Sequence, residues 1–176
     1  MLLGTIIKVS AKQIEITPMV EVLEEARAPE FTLPTQNGEL VGLSDFLGNK
    51  VVLYFFVKDD TPGCTREACD FRDSLAAFER SGAVVIGVSP DNTTSHQSFS
   101  QKYRLPFTLV SDEGAVVATQ YGVYKRRVLY GRSFLGIERS TFVIGKDGRI
   151  QQMYRRVKVD GHIQALLASL AGADIT

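Results

Sequence analysis

Two cysteines, Cys64 and Cys69, are the only thiols among 176 residues. They lie in Lys58-Asp59-Asp60-Thr61-Pro62-Gly63-Cys64-Thr65-Arg66-Glu67-Ala68-Cys69. Thr61 suits a helix N-cap, and Pro62 suits the first helical position. Cys64 then falls at the third position, where its own amide and that of Gly63 lack helical acceptors. Those amides and the helix dipole favour an anion, so the expected species is a thiolate. A thiolate is a nucleophile, whereas a buried thiol is inert. The Thr61 hydroxyl reaches toward the same position and is expected to hydrogen-bond the sulfur.

Cys69 follows five residues later. In an intact helix this separation turns the two sulfurs about 140° apart, with Cα atoms roughly 8–9 Å apart. A disulfide needs Cα atoms within about 7 Å. A Cys64–Cys69 bridge therefore requires the first turns of the helix to unwind, which makes it a switch. Taken alone, two small buried residues in a helix would explain both cysteines equally well. Zinc would need four ligands at short spacings. Only His96 and His162 remain as imidazoles, and both fall on expected polar helix faces, solvated. A dithiol oxidoreductase would carry C-x-x-C rather than the C-x4-C found here. A binding or chaperone module without activity is the non-enzyme alternative.

The elements that must position this segment read as α/β. Phe31 to Leu33, Asn37-Gly38 and Leu40-Val41 form a short hairpin on a type I′ turn. Val51 to Val57 is a continuous apolar run, a strand buried on both faces. A helix starts at Thr61-Pro62 and runs to about Arg80, with Ala68, Phe71, Leu75 and Phe78 on its apolar face. Strands follow at Ala83 to Val88 and Phe107 to Val110, with a helix between them capped by Asp91 or Thr93 and carrying Phe99 and Tyr103. Glu113 to Tyr121 is a short helix. Thr141 to Ile144 and Ile150 to Tyr154 form a hairpin, and Asp160 caps a last helix through Ile163, Leu166, Leu167 and Leu170. The helical crossovers imply a parallel core, and the late hairpin adds antiparallel strands. Leu3 to Ile16 alternates like one or two strands, so residues 1–25 read as an extension of possible edge strands and 26–176 as one domain.

Composition narrows the partners. Apolar residues make up 44% and charged residues 23%, which fits a globular chain. Twenty basic residues balance twenty acidic ones, so no net field favours nucleic acid or an anionic membrane. Lys125-Arg126-Arg127 and Arg155-Arg156 with Lys158 read as solvated faces. The longest apolar run, Val51 to Val57, is far short of the roughly 20 residues of a membrane span. The first residues lack the basic leader and cleavage site of a signal peptide, so a reducing cytoplasm is the expected compartment.

The stretch Asp60 to Asp73 resembles the active-site signature of the peroxiredoxins, most closely the peroxiredoxin Q or bacterioferritin comigratory protein subfamily. Ala28-Pro29-Glu30-Phe31-Thr32-Leu33-Pro34, Leu109 to Glu113 and Gly136 to Ile144 carry further likeness, so the resemblance spans roughly residues 26–170. It implies a thioredoxin-like fold, with a central mixed sheet flanked by helices. It implies Cys64 as the peroxidatic and Cys69 as the resolving cysteine, with Thr61 and Arg139 at the active site. Gly63 and Glu67 are implied around the substrate. The implied reaction is reduction of hydrogen peroxide or organic hydroperoxides in antioxidant defence. A Cys64 sulfenic acid is resolved as a disulfide and recycled by thioredoxin or a similar dithiol, with no metal, haem or flavin. Monomer and homodimer both fit the subfamily. One position departs: the family motif has Pro seven residues before the peroxidatic cysteine, where this chain has Val57. Valine keeps apolar bulk, restores an N–H and loosens φ.

Overall fold

The computed structural model describes residues 22–172; the expected strands of Leu3 to Ile16 lie outside them. The described chain enters through Val22, buried in the core, and the Glu25 amide donates to the Ile150 carbonyl at 2.7 Å. A hairpin follows, β1 (Thr32–Pro34) with β2 (Leu40–Gly42), antiparallel. Its turn differs from the expected type I′. Gly38 has positive φ but Asn37 does not, and the Gly38 amide donates to the Thr35 carbonyl. A left-handed glycine ending a longer loop serves the same purpose.

The main sheet has five strands in the order β5-β4-β3-β8-β9. β3 (Lys50–Phe55) lies at its centre, parallel to β4 (Ala83–Ser89) and antiparallel to β8 (Ser140–Ile144). β5 (Thr108–Ser111) extends the parallel side, and β9 (Ile150–Tyr154) the antiparallel side. The parallel core and late hairpin are those expected from the sequence. Alternation along β3 divides the core in two. Val51, Leu53 and Phe55 pack on one face with Tyr121 and Phe142, while Val52, Tyr54 and Phe56 pack on the other with Cys64, Ala68 and Phe71.

Helix α1 (Pro62–Asp73) is shorter than expected. Ser74 leaves helical geometry at φ −107°, ψ 4°, and α2 (Leu75–Arg80) resumes beyond it. The apolar spacing continues through this break because Phe78 still reaches the same core as Phe71. Helix α3 (Thr93–Tyr103) is capped by Asn92, whose side chain accepts from the Ser95 amide at 2.9 Å, rather than by Asp91 or Thr93. Helix α4 (Val116–Gln120) starts late because Ala115 is left-handed; the Asp112 carboxylate accepts from the Val117 and Ala118 amides instead. Helix α5 (His162–Gly172) closes the described chain. Among the described residues no helix is long and apolar enough to cross a membrane.

A second hairpin, absent from the sequence reading, joins α4 to β8. It pairs β6 (Tyr124–Leu129) with β7 (Arg132–Ile137). Tyr130 and Gly131 at its turn both have positive φ, the type I′ geometry expected earlier of Asn37-Gly38. Most of its side chains face solvent, so no apolar alternation announces it.

Candidate active site

The β3–α1 junction forms as the local sequence dictates. Thr61 takes an extended N-cap conformation, Pro62 opens the helix, and Cys64 is its third residue. The Thr61 hydroxyl does not cap the helix or bond the sulfur. It donates to the Lys58 carbonyl at 2.8 Å, which leaves only its lone pairs for other work. Cys64 is 1% exposed. Cys69 lies in the same unbroken helix, partly buried, and both cysteines are free. Burial pushes the Cys69 thiol above its usual range, more strongly than Arg72 lowers it.

Arg139 comes from the residue just before β8, 75 positions away in sequence from Cys64. Its Nη2 donates to the Cys64 sulfur at 3.2 Å and its Nη1 to Glu67 Oε1 at 3.1 Å. Helical geometry explains the pairing, since positions three apart share a face and one guanidinium can span Cys64 and Glu67. Gly63 leaves room for this fork: a Cβ there would lie 3.3 Å from Arg139 Nη2. Beneath the helix, Tyr54 stacks on Phe71, with ring centroids 4.5 Å apart. Gly87 permits that position, because a Cβ on it would fall within 2.8 Å of the tyrosine ring.

The site is short of hydrogen-bond partners. Burial raises Glu67 to about 7, although Arg139 opposes the shift. The Tyr54 hydroxyl, Asp59 Oδ1, Thr65 Oγ1 and Glu67 Oε2 are buried without a hydrogen-bond partner. All four belong to residues 54–67. Beyond Arg139 opens a cavity of about 530 Å³, to whose wall Val57 and Arg139 contribute. Val57, at the position of the family proline, is 43% exposed.

Both histidines correct the expectation of solvated rings. His96 is fully buried. Its Nδ1 lies 2.7 Å from Asp59 Oδ2, and its Nε2 lies 3.0 Å from the Val110 carbonyl. Ser95 Oγ donates to the same Asp59 oxygen, and the Asp59 amide donates to Asp91. The next residue, Asp60, accepts from Lys102 and Tyr103. Helix α3 thus pins the loop that launches α1. Asp59, Asp91 and His96 bring potential metal-ligand atoms within 4.8 Å of one another, but both His96 nitrogens lie at hydrogen-bonding distance from protein oxygens. The spacing His96, Phe99, Tyr103 puts this ring on the apolar face of α3, a signal that the sequence reading passed over.

His162 is also buried, with Nε2 2.8 Å from Thr141 Oγ1. Burial first, and then the Arg139 charge, lower it to about 4. The opposite shifts of His162 and Glu67 predict a cancellation. The His162 contribution is present above about 6.5 and is lost as pH falls toward about 4. The Glu67 contribution is present below about 4.5 and is lost as pH rises through about 7. Between pH 4.5 and 6.5 their slopes oppose. Each has an upper limit of about 1.4 kcal/mol per pH unit. Urea unfolding across that window should therefore show Glu67→Gln losing stability with acid relative to the parent, and His162→Gln gaining it. Parallel pH profiles for the three proteins would contradict this assignment.

A buried thiol held by a guanidinium at the head of a helix, on a mixed sheet, defines a thiol-based redox protein. The AhpC/TSA family model matches residues 25–153. Peroxiredoxin Bcp of Bacillus subtilis is 47% identical over 144 residues, covering 82% of this chain and 92% of that protein. The chloroplastic peroxiredoxin Q of Gentiana triflora is 42% identical over 159 residues, covering 90% and 71%. Among solved structures, the bacterioferritin comigratory protein of Xanthomonas campestris, described for its alkyl peroxide reduction activity, superposes with a TM-score of 0.78. It is 40% identical, and the match covers 81% of this chain and 91% of that one. The chain belongs to the AhpC/TSA family and groups with its Bcp and peroxiredoxin Q members. It has the thioredoxin-like fold and is a thiol-dependent peroxidase, an oxidoreductase that takes a peroxide substrate and a thiol reductant.

Proposed function

We propose that Cys64 is the peroxidatic cysteine and Cys69 the resolving one. The observation that carries this reading is the Arg139 Nη2 contact to the Cys64 sulfur at 3.2 Å, at the head of a helix that also holds Cys69. The Cys64 thiolate attacks the terminal oxygen of a hydroperoxide. An S–O bond forms and the O–O bond breaks, and the leaving alkoxide or hydroxide takes up a proton. Arg139 and the amides of Gly63 and Cys64 are the fixed donors for the charge that develops. Thr61, whose proton is held by the Lys58 carbonyl, accepts from the peroxide O–H. Glu67 holds the guanidinium in register.

Cys64 is left as a sulfenic acid. The start of α1 then unwinds, and Cys69 attacks the sulfur. The Cys64–Cys69 disulfide forms with loss of water. A dithiol of the thioredoxin type reduces it by exchange, which places the cycle in a reducing compartment such as the cytoplasm. The test is peroxide titration followed by intact-mass measurement. One equivalent of peroxide should remove two hydrogens from the parent protein. Cys69→Ser should instead gain one oxygen, then further oxygens with excess peroxide, after a single turnover. Cycling of Cys69→Ser with thioredoxin at the parental rate would refute Cys69 as the resolving thiol.

A further inference from the structure

The β6–β7 hairpin stands apart from the five-stranded sheet as a two-stranded sheet of its own. Arg126 to Leu129 and Arg132 to Leu135 are exposed without a break. Of the ten exposed large hydrophobic side chains among the described residues, five lie in this hairpin: Val128, Leu129, Tyr130, Phe134 and Leu135. Such clustering marks an interaction surface, whereas scattered exposure would not. The register pairs Arg126 with Leu135, Arg127 with Phe134, Val128 with Ser133 and Leu129 with Arg132. Alternation then puts Val128 and Leu135 on one face beside Arg126, and Leu129 and Phe134 on the other beside Arg127 and Arg132. Tyr130, at the turn, is 96% exposed. The hairpin carries Lys125, Arg126, Arg127 and Arg132 and no acidic residue. Lys125 lies 3.5 Å from Glu138, just beyond β7. Arg126 donates to Ser133 Oγ at 3.0 Å and Arg127 to the Ile137 carbonyl at 2.6 Å, both neutral acceptors that leave the charge in place. The even balance of the whole chain thus hides a basic, apolar tip.

We propose that this hairpin docks the protein on an anionic phospholipid bilayer, with Tyr130 leading. Apolar side chains stand on both faces, so a partner protein lying against one face would leave the other wet. A fluid interface envelops the tip and covers both. From Arg127 to Tyr130 the strand advances about 10 Å, which matches the roughly 5–10 Å depth reached by interfacial segments. At that depth water still reaches the unpaired strand edges, which hydrocarbon would not tolerate. Tyrosine suits the headgroup level, with an apolar ring and a polar end. The guanidinium groups reach back to the phosphates while their stems lie along the apolar surface. A second copy of the chain would bring like charges together. Nucleic acid would use the cations but not Val128, Leu129 and Leu135.

The test is co-sedimentation of the full chain with vesicles of phosphatidylcholine, alone or mixed with phosphatidylglycerol. At low salt the mixed vesicles should bind at least about tenfold more tightly. The preference should collapse in molar salt, where the Debye length falls to about 3 Å. Leu129→Ser with Tyr130→Ser should weaken binding to the mixed vesicles at least about tenfold. Arg127→Gln and Arg132→Gln should each cost about fivefold. All four side chains are exposed, so unchanged thermal unfolding checks that the fold is kept. The chain has no tryptophan, so Tyr130→Trp reports on the tip alone, and its emission should move to the blue on the mixed vesicles. Absence of parental binding to those vesicles would overturn docking, as would binding that survives Leu129→Ser with Tyr130→Ser. Tight binding to a single-stranded RNA homopolymer in place of vesicles would also overturn it, and so would self-association abolished by the same two substitutions. Vesicle binding is read without turnover, so each of these results leaves the Cys64 assignment where it stands.

Discussion

Cys64→Ser is expected to bring peroxide consumption down to the uncatalysed background, a loss of at least about 10³-fold in kcat/KM. The argument is chemical rather than structural. Serine is close to cysteine in size and fills the same place beneath Arg139, so the helix and the buried wall of Tyr54 and Phe71 remain packed. What disappears is an ionisable sulfur. A serine hydroxyl at that place is a far weaker acid than a thiol and stays protonated, and it cannot hold a stable oxidised state. The unchanged fold is checked by circular dichroism and by retention of the free Cys69 thiol. Substantial residual turnover in Cys64→Ser would move the chemistry to another group and undo the mechanism.

Arg139→Ala is expected to lower the rate of sulfenic acid formation by about 10²–10³-fold, the usual consequence of removing one donor aimed at a developing oxyanion. Two contacts are lost together, one to the Cys64 sulfur and one to Glu67 Oε1. Glu67 Oε2 already lacks a partner, so the variant leaves the whole carboxyl buried and unpaired and favours its protonated form. Arg139→Lys keeps the charge but not the two-pronged geometry, and it should recover only part of the loss. Rapid-mixing measurement of the first turnover separates this effect from resolution and recycling. A first turnover unaffected in Arg139→Ala would remove the guanidinium from the reaction.

How much of this was legible in the sequence follows from the range of the forces involved. The β3–α1 junction is local. An N-cap, a proline at the first position and a continuous β-rich run state it within about a dozen residues, and Thr61, Pro62 and Cys64 stand where those rules place them. The parallel core with an antiparallel late hairpin also follows from the pattern of elements. Arg139 is different, because periodicity cannot bring together residues 75 positions apart. Only likeness to a family pointed to it. The break at Ser74 is silent because apolar spacing continues across it. The β6–β7 hairpin is silent for the opposite reason: its outward-facing side chains leave the hydrophobic pattern unmarked. His96 was misplaced because the fate of a polar side chain depends on what the facing elements offer it. Here these are Asp59 from the loop after β3 and the Val110 carbonyl of β5.

The four unpartnered polar atoms of Tyr54, Asp59, Thr65 and Glu67 have a consequence for where this molecule opens. Each such atom costs about 1–3 kcal/mol while it stays dry. Two of them ride on α1 itself, so hydration of Thr65 and Glu67 offsets part of the helix hydrogen bonding given up when the first turns fray. Stability is thereby thinned at the one stretch that must yield for the two sulfurs to meet. The surrounding sheet, whose central strands β3 and β8 are buried throughout, can keep its shape while that stretch is wetted and dried in each catalytic round.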